Sequence, residues 1–257
     1  MTVSSCFRFS TLGNKTLSLL LLLGTSASAY QFQMRAASSS PSLKRVASYA
    51  IQKSPASKSF FLVVSHGSVV DFSYDDNPQS CSIVNAANEG CLGGGGVDGA
   101  ITAAGGPNLA EDRLALPIVS PAGIRCPTGK AKITGPNQYG QLHVPYVIHA
   151  VGPNYWNFEG KESKADKLLR SAYKTSLELA KEHRIEAVGF SLISSGAFKG
   201  NRSKKHVMKI ALQAVKDFEG YDDLKEVHLC AFSEVECDRL EEIVSDVGLE
   251  MNMTRPR

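Results

Sequence analysis

The chain has 257 residues, with 28 Lys and Arg against 25 Asp and Glu and a formal net charge of +3. The basic excess lies at the start of the chain, because residues 1–70 hold seven basic residues and no acid, which leaves 21 basic against 25 acidic residues after them. This distribution argues against a basic nucleic-acid-binding surface on the later part, and the length allows one or two domains.

The first segment has the features of a secretory signal peptide. Arg8 and Lys15 precede an apolar run over residues 17–23, and the small residues Ala27-Ser28-Ala29 follow it. A charged region, a short apolar region and a small-residue site are the three parts of a signal peptide, and the apolar run is too short to span a bilayer. We therefore predict a signal peptide over residues 1–29 and no membrane segment in the mature form.

The next segment, residues 30–59, is rich in Ser and Ala, basic and free of acids, which is typical of a transit peptide. A signal peptide followed by a transit peptide resembles the two-part presequences of algae with secondary plastids, in which an aromatic residue such as Tyr30 follows the cleavage site. The sequence thus predicts a presequence over residues 1–59, a single folded domain over residues 60–257 and a plastid location. Secretion and mitochondrial import remain alternatives.

Strand and helix patterns alternate after residue 59. Apolar runs predict six strands, over residues 60–64, 82–84, 133–134, 145–151, 187–193 and 227–232. Apolar residues at helical spacing predict helices near residues 169–180, 207–218 and 234–247. This alternation predicts a three-layer α/β/α fold with a mixed, largely parallel central sheet, in which ligands bind at the carboxyl ends of the strands.

Four consecutive glycines, Gly93–Gly96, follow one predicted strand and lead into a helix. Such a run fills no core volume and costs backbone entropy, but it lets backbone N–H groups approach a ligand closely. A helix N-terminus adds partial positive charge, so the expected guest is a phosphate or pyrophosphate. The run lacks the Gly-Lys-Ser/Thr ending of a Walker A loop and the spacing of a dinucleotide fingerprint.

The residues around this glycine run resemble a known signature. Asn85-Ala86-Ala87-Asn88 is followed by Leu92-Gly93-Gly94-Gly95-Gly96-Val97-Asp98-Gly99-Ala100-Ile101. Further matching segments are Gly105-Gly106-Pro107, Arg125-Cys126-Pro127-Thr128-Gly129, Val147-Ile148-His149-Ala150-Val151-Gly152-Pro153 and Ile193-Ser194-Ser195-Gly196-Ala197-Phe198. In this order, over residues 60–248, they resemble macro domains that bind and process ADP-ribose, most closely the plant or algal type of the MacroD-like group.

The resemblance implies a set of site residues. Two backbone loops would hold the pyrophosphate, and the predicted ligand-binding residues are Gly93, Gly94, Gly95, Gly96, Val97, Ser194, Ser195, Gly196, Ala197 and Phe198. Asn88 and Asp98 would lie beside the distal ribose as catalytic residues, the amide fixing the sugar and the carboxylate orienting or deprotonating a water. As alternatives, Asp98 caps the helix and Phe198 belongs to the core.

The activity implied by the resemblance is hydrolysis of an ADP-ribose conjugate without a cofactor. The enzyme would remove mono-ADP-ribose from acidic side chains, deacylate O-acyl-ADP-ribose or dephosphorylate ADP-ribose 1″-phosphate. The alternative is a non-catalytic reader of ADP-ribose or of ADP-ribosylated proteins. Binding of RNA or poly(ADP-ribose) is disfavoured by the acidic balance of residues 60–257, and no Cys/His pattern has the spacing of a zinc site.

Other residues receive structural interpretations. Asn85 is predicted to hold the loop, His149 to be a hydrogen-bonded core residue, and Cys91 to be a small packing residue. Six cysteines with no C-x-x-C pair predict free, mostly buried thiols.

Two departures from the family pattern affect the expected ligand contacts. Ser68 stands where many macro domains have the Asp that accepts the adenine amino group, so Ser68 or Asp71 is expected to read the base. Lys199-Gly200-Asn201 replaces the Gly-Tyr-Pro of the second loop, and Lys199 is expected to be solvated.

Overall fold

The computed structural model describes residues 43–52 and 59–249. Seven strands form one sheet within these residues, in the spatial order β1-β2-β7-β6-β3-β5-β4. The five central strands are parallel, and the edge strands β1 and β4 are antiparallel to their neighbours. The strands are β1 (Lys44–Ile51), β2 (Phe60–His66), β3 (Cys81–Ala86), β4 (Ala131–Thr134), β5 (Tyr146–Ala150), β6 (Ala187–Ser191) and β7 (Glu226–Ala231).

Four α-helices cover the two faces of this sheet: α1 (Val97–Ala115), α2 (Glu162–Glu182), α3 (Lys204–Asp217) and α4 (Glu234–Asp246). Helices α2, α3 and α4 share one apolar core with strand residues such as Val84, whereas α1 shares a second core with the neighbouring residue Ile83. Successive strand residues point to opposite faces, so the two cores lie on opposite sides of the sheet. The predicted three-layer fold and largely parallel sheet are confirmed. None of the described helices has the length and apolar character needed to cross a membrane.

The start of the fold differs from the prediction that it begins at residue 60. Strand β1 lies inside the predicted presequence, yet it pairs along its length with β2 and buries Tyr49 and Ile51 in the core. Arg45 also reaches across β2 to β7, where its guanidinium contacts both carboxylate oxygens of Glu226 at 2.9 and 2.8 Å. The boundary at residue 60 is therefore wrong. The cleavage sites stay a prediction, and the predicted signal peptide lies outside the described residues.

The parallel arrangement places the carboxyl ends of all five parallel strands along one edge of the sheet, and four of these ends stand in a row from β2 to β3. Strands β2, β7, β6 and β3 are consecutive neighbours, so the segments that follow them are also side by side. These segments are residues 67–69 after β2, Phe232 after β7, residues 192–198 after β6 and residues 87–96 after β3. Ligand sites of parallel α/β sheets form at this edge.

Candidate functional site

A cleft of about 650 Å³ runs along this edge of the sheet. Eleven of the twelve predicted site residues line it: Asn88, Gly94, Gly95, Gly96, Val97, Asp98, Ser194, Ser195, Gly196, Ala197 and Phe198. The exception is Gly93, whose carbonyl oxygen instead accepts a hydrogen bond from Asn88 Nδ2 at 2.7 Å. The two predicted loops therefore face one cavity. Gly93 contributes to the first loop through its carbonyl oxygen, which is held by the Asn88 side chain.

The first loop depends on glycine at defined positions. Gly93 has a φ of 128° and Gly96 a φ of 62°, a region that side chains other than glycine rarely adopt. Gly96 is also the N-cap of α1, so the first amides of the helix, which have no intrahelical acceptor, lie at the cleft. This arrangement of amides at a helix N-terminus suits a phosphate.

The side chain of Asn88 braces the same loop. Its Nδ2 donates to Gly93 and its Oδ1 accepts from the backbone N–H of Gly90 at 3.1 Å. Both ends of the amide are thus engaged with the loop backbone, although Nδ2 carries a second N–H. The structure therefore gives Asn88 a loop-holding contact that the sequence interpretation had assigned to Asn85.

The second loop follows β6 and presents its backbone to the cleft. The hydroxyl of Ser194 donates to the carbonyl of Pro153 at 2.9 Å, and that of Ser195 donates to the carbonyl of Leu192 at 2.8 Å. Both serine side chains therefore fix the turn, and a short 3-10 helix, Ala197–Lys199, begins at the cleft. Phe198 is half-buried and lines the cleft.

Asp98 is a buried carboxylate at the wall of the cleft. It is 2% exposed, and its Oδ1 accepts hydrogen bonds from Asn85 Nδ2 and Arg113 NH2, both at 2.8 Å. Its Oδ2 has no hydrogen-bond partner among the described residues. A Cβ added at Gly94 would lie 2.9 Å from this Oδ2 and 3.2 Å from Asn88 Nδ2, so both polar atoms lie against Gly94. Because Gly96 is the N-cap, the alternative that Asp98 caps α1 is wrong.

Behind Asp98, a buried hydrogen-bond chain continues to β5 and β4. The amide nitrogen of Asn85 also lies 3.3 Å from His149 Nδ1, and His149 Nε2 lies 3.1 Å from Thr134 Oγ1. Complete burial, reinforced by the positive charge of Arg113, lowers the pKa of His149 to about 3, so its imidazole is neutral. We assign the proton to Nε2, because Nδ1 then accepts from the amide. This confirms the structural interpretation of His149.

Two cysteines pack beneath the turn that precedes the glycines. Cys91 and Cys126 are both fully buried, in a small cluster with Ala87 and Val151. The neighbouring Cys126 thiol, together with the Arg113 charge, lowers the pKa of Cys91, whereas the Cys91 thiol and burial raise the pKa of Cys126. All five cysteines of the described part are free and buried, as predicted.

Beyond the second loop, at the end of β7, the cleft contains residues that the sequence does not single out. Phe232 lines it with 77% of its surface exposed, and Glu236 of α4 lies beside it. Glu236 accepts from the backbone N–H of Phe232 at 2.9 Å and from Lys204 Nζ at 2.7 Å. Phe232 follows β7, so the rule that sites form at strand ends would have identified it.

The positions expected to read a base are partly corrected. Ser68 lines the cleft, and its hydroxyl accepts from the backbone N–H of Val70 at 3.2 Å. Asp71 does not line the cleft, so the expectation that it reaches in is wrong.

Lys199 also lies outside the lining and donates to the carbonyl of Gly200 at 3.1 Å. Within residues 43–52 and 59–249, no group of three or more His, Cys, Asp or Glu has a geometry suited to a metal ion.

These features define a class of protein: an α/β fold with amide-rich loops around a cleft and one buried carboxylate at its wall. The Macro domain family model matches residues 84–211. A macro domain-containing protein of Caldanaerobacter subterraneus subsp. tengcongensis is 43% identical over 168 residues, which cover 65% of this chain and 86% of that protein. The chain belongs to the macro domain family.

Solved structures agree with this assignment. The Oceanobacillus iheyensis macrodomain with ADP superposes with a TM-score of 0.62 at 29% identity, covering 79% of this chain and 98% of that one. The Trypanosoma brucei macrodomain in complex with ADP-ribose superposes with a TM-score of 0.56 at 31% identity, covering 71% of this chain and 68% of that one.

Proposed function

We propose that this protein binds ADP-ribose and hydrolyses an ADP-ribose conjugate. The observation that carries the proposal is Asp98 Oδ2, a buried carboxylate oxygen with no partner among the described residues, at the wall of a cleft lined by backbone amides. A buried acceptor without a partner is costly, and a ligand hydroxyl or a water is a suitable donor for it.

The order of the strand ends supports one orientation of the ligand. The pyrophosphate lies between the glycine loop and residues 194–198. The two loops offer backbone amides at the start of α1 and at the start of the short 3-10 helix Ala197–Lys199. The distal ribose then lies beside Asn88 and Asp98, and the adenine lies beside Phe232, whose exposed ring offers a stacking surface. The relatives solved with ADP and ADP-ribose support this class of ligand.

In the proposed reaction, Asp98 acts on a water molecule. The carboxylate accepts a proton from the water, and the water oxygen attacks the ester or phosphoester that joins the distal ribose to its substituent. The products are ADP-ribose and a free carboxylic acid, or ADP-ribose and phosphate in the case of ADP-ribose 1″-phosphate. Asn88 holds the glycine loop in place and has one further N–H for a ribose hydroxyl.

A non-catalytic reader is the second candidate, and one observation favours it. The Asn88 amide is already engaged with Gly90 and Gly93, so its role in shaping the loop needs no reaction. A reader would bind ADP-ribosylated proteins through the same two loops. The partnerless Oδ2 of Asp98 favours the enzyme, because a carboxylate oxygen at the cleft wall can take a proton from a water beside the distal ribose.

Release of ADP-ribose from a glutamate-ADP-ribosylated protein tests the two candidates, with O-acetyl-ADP-ribose and ADP-ribose 1″-phosphate as parallel substrates. The matched variant is Asp98→Asn, which retains an oxygen for Arg113 but places an amide where Oδ2 accepts. We expect turnover to fall at least about 100-fold and ADP-ribose affinity to stay within about tenfold. ADP-ribose binding without turnover of any substrate by the native chain would establish the reader.

We also propose a plastid location, supported by the composition of the leader. A fluorescent protein fused behind residues 1–43 of the chain tests it in an alga with secondary plastids. Secretion or mitochondrial import of the fusion would reject it.

A further inference from the structure

Arg113 is a buried arginine on α1, with a side chain only 1% exposed. All three of its nitrogens donate: NH2 to Asp98 Oδ1 at 2.8 Å, NH1 to Thr102 Oγ1 at 2.9 Å and Nε to the carbonyl of Cys91. Arginine cannot lose its proton in a protein, so this cation is permanent and must be paired when it is buried. Its carboxylate partner is the residue proposed to act on water.

The contact between Arg113 and Asp98 depends on a break in α1. The two residues are 15 positions apart, which in a straight α-helix corresponds to about 22 Å. At Gly106 the backbone adopts φ 64° and ψ −159°, and Pro107 follows, so the helix is interrupted. The second segment thereby returns the arginine to the first turn of the helix.

The geometry fixes the direction of the Asp98 carboxylate. Its Oδ1 is held by two donors from different elements, Asn85 on β3 and Arg113 at the end of α1. With one oxygen held twice, rotation of the carboxylate is restricted, and Oδ2 stays directed towards Gly94. Of the two donors, only Arg113 also supplies a positive charge.

We propose that Arg113 is a positioning residue, which aligns Asp98 Oδ2 for the hydrolysis; this proposal rests on the function proposed above. Arg113 is not among the residues lining the cleft. Its effect on the reaction is exerted through Asp98. A residue that only stabilised the fold would change the fraction of folded protein without changing kcat of the folded enzyme.

The test uses the full chain with Arg113→Lys, which keeps the charge and loses the planar fork, and with Arg113→Met, which loses both. The matched control is Arg45→Lys, which alters the contact of another arginine with a carboxylate, that of Glu226; neither residue lines the cleft. Each variant is assayed for kcat, for KM and for ADP-ribose affinity, at a temperature where circular dichroism shows native structure. Both Arg113 variants are also combined with Asp98→Asn.

For Arg113→Lys we expect kcat to fall about 100-fold with ADP-ribose affinity unchanged within about threefold, and for Arg45→Lys we expect native kcat. In the Asp98→Asn background, Arg113 substitution is expected to lower the residual rate no further, since the residue acts through the carboxylate. Native kcat in folded Arg113→Lys, or additive losses in the double variant, would overturn the proposal. If the native chain binds ADP-ribose without turnover, the proposed function fails first and this inference fails with it.

Discussion

Replacing Asp98 by alanine removes the anion of a buried ion pair, so we expect this variant to lose stability as well as turnover. The side chains of Asp98 and Arg113 are 3% and 1% exposed, and nothing in Asp98→Ala would compensate the arginine charge. Breaking such a pair costs about 3–5 kcal/mol. For a domain of about 200 residues, in which each kcal/mol shifts Tm by about 2–4 °C, the midpoint should fall by roughly 6–20 °C.

Urea unfolding followed by circular dichroism measures this loss. The control is Asp217→Ala, since Asp217 pairs with Arg170 at the surface, where the two side chains are 33% and 51% exposed, and such pairs contribute less than about 1 kcal/mol. The loss of unfolding free energy in Asp98→Asn should lie between those of Asp98→Ala and Asp217→Ala, because the amide oxygen can still accept a hydrogen bond from Arg113. A loss below about 1 kcal/mol for Asp98→Ala would refute the ion pair as a determinant of stability. Asp98→Asn is therefore the better probe of catalysis.

Three further results are expected. Gly94→Ala should lower Tm, because the new Cβ would lie 2.9 Å from Asp98 Oδ2. Gly95→Ala should leave Tm unchanged, because no heavy atom lies within 4 Å of the position of its Cβ. Equal Tm values for the two variants would contradict this reasoning. The folded state lowers the pKa of His149 from 6.5 to about 3. Between these two values the unfolded chain binds a proton at His149 that the folded chain does not, so the free energy of unfolding decreases as the pH falls from 6.5 towards 3. The loss reaches up to about 5 kcal/mol. His149→Gln should flatten the pH dependence of urea unfolding in that window, and an unchanged slope would reject the assignment. Phe232→Ala should weaken ADP-ribose binding in calorimetry by about 1–3 kcal/mol, or roughly 5- to 150-fold, if the ring stacks on the base; native affinity would exclude stacking.

The glycine loop and the second loop were predictable because their requirements are local. Four consecutive glycines before a helix indicate a backbone that approaches a ligand, and the structure shows positive φ at Gly93 and Gly96. The six predicted strands and the helices were equally recognisable, since apolar runs and helical spacing reflect burial against immediate neighbours. The strand limits shifted by at most two residues, whereas helix α2 begins seven residues before the apolar stripe that predicted it.

The role of Arg113 was not predictable from the sequence. An arginine in a helix is exposed by default, and nothing nearby marks this one as buried. Its burial follows from the interruption at Gly106, which brings together residues 15 positions apart. The contact is a product of tertiary geometry.

Strand β1 was missed for a different reason. Ala47, Tyr49 and Ile51 alternate with more exposed residues, as expected of a half-buried strand. The Ser-rich, acid-free composition around this period-2 signal is typical of a transit peptide and indicates the opposite.

The position of β1 at the sheet edge has a consequence for where the predicted presequence can end. Removal of residues 1–59 would take β1 away and leave β2, with Leu62, Val63 and Val64 all fully buried in the intact sheet, as a bare outer strand. An apolar edge strand with unpaired backbone groups invites pairing between chains, so a protein trimmed at residue 59 would be prone to aggregate. If the predicted presequence is removed, cleavage before Lys44 would keep β1 in the sheet, and recombinant fragments should begin there as well.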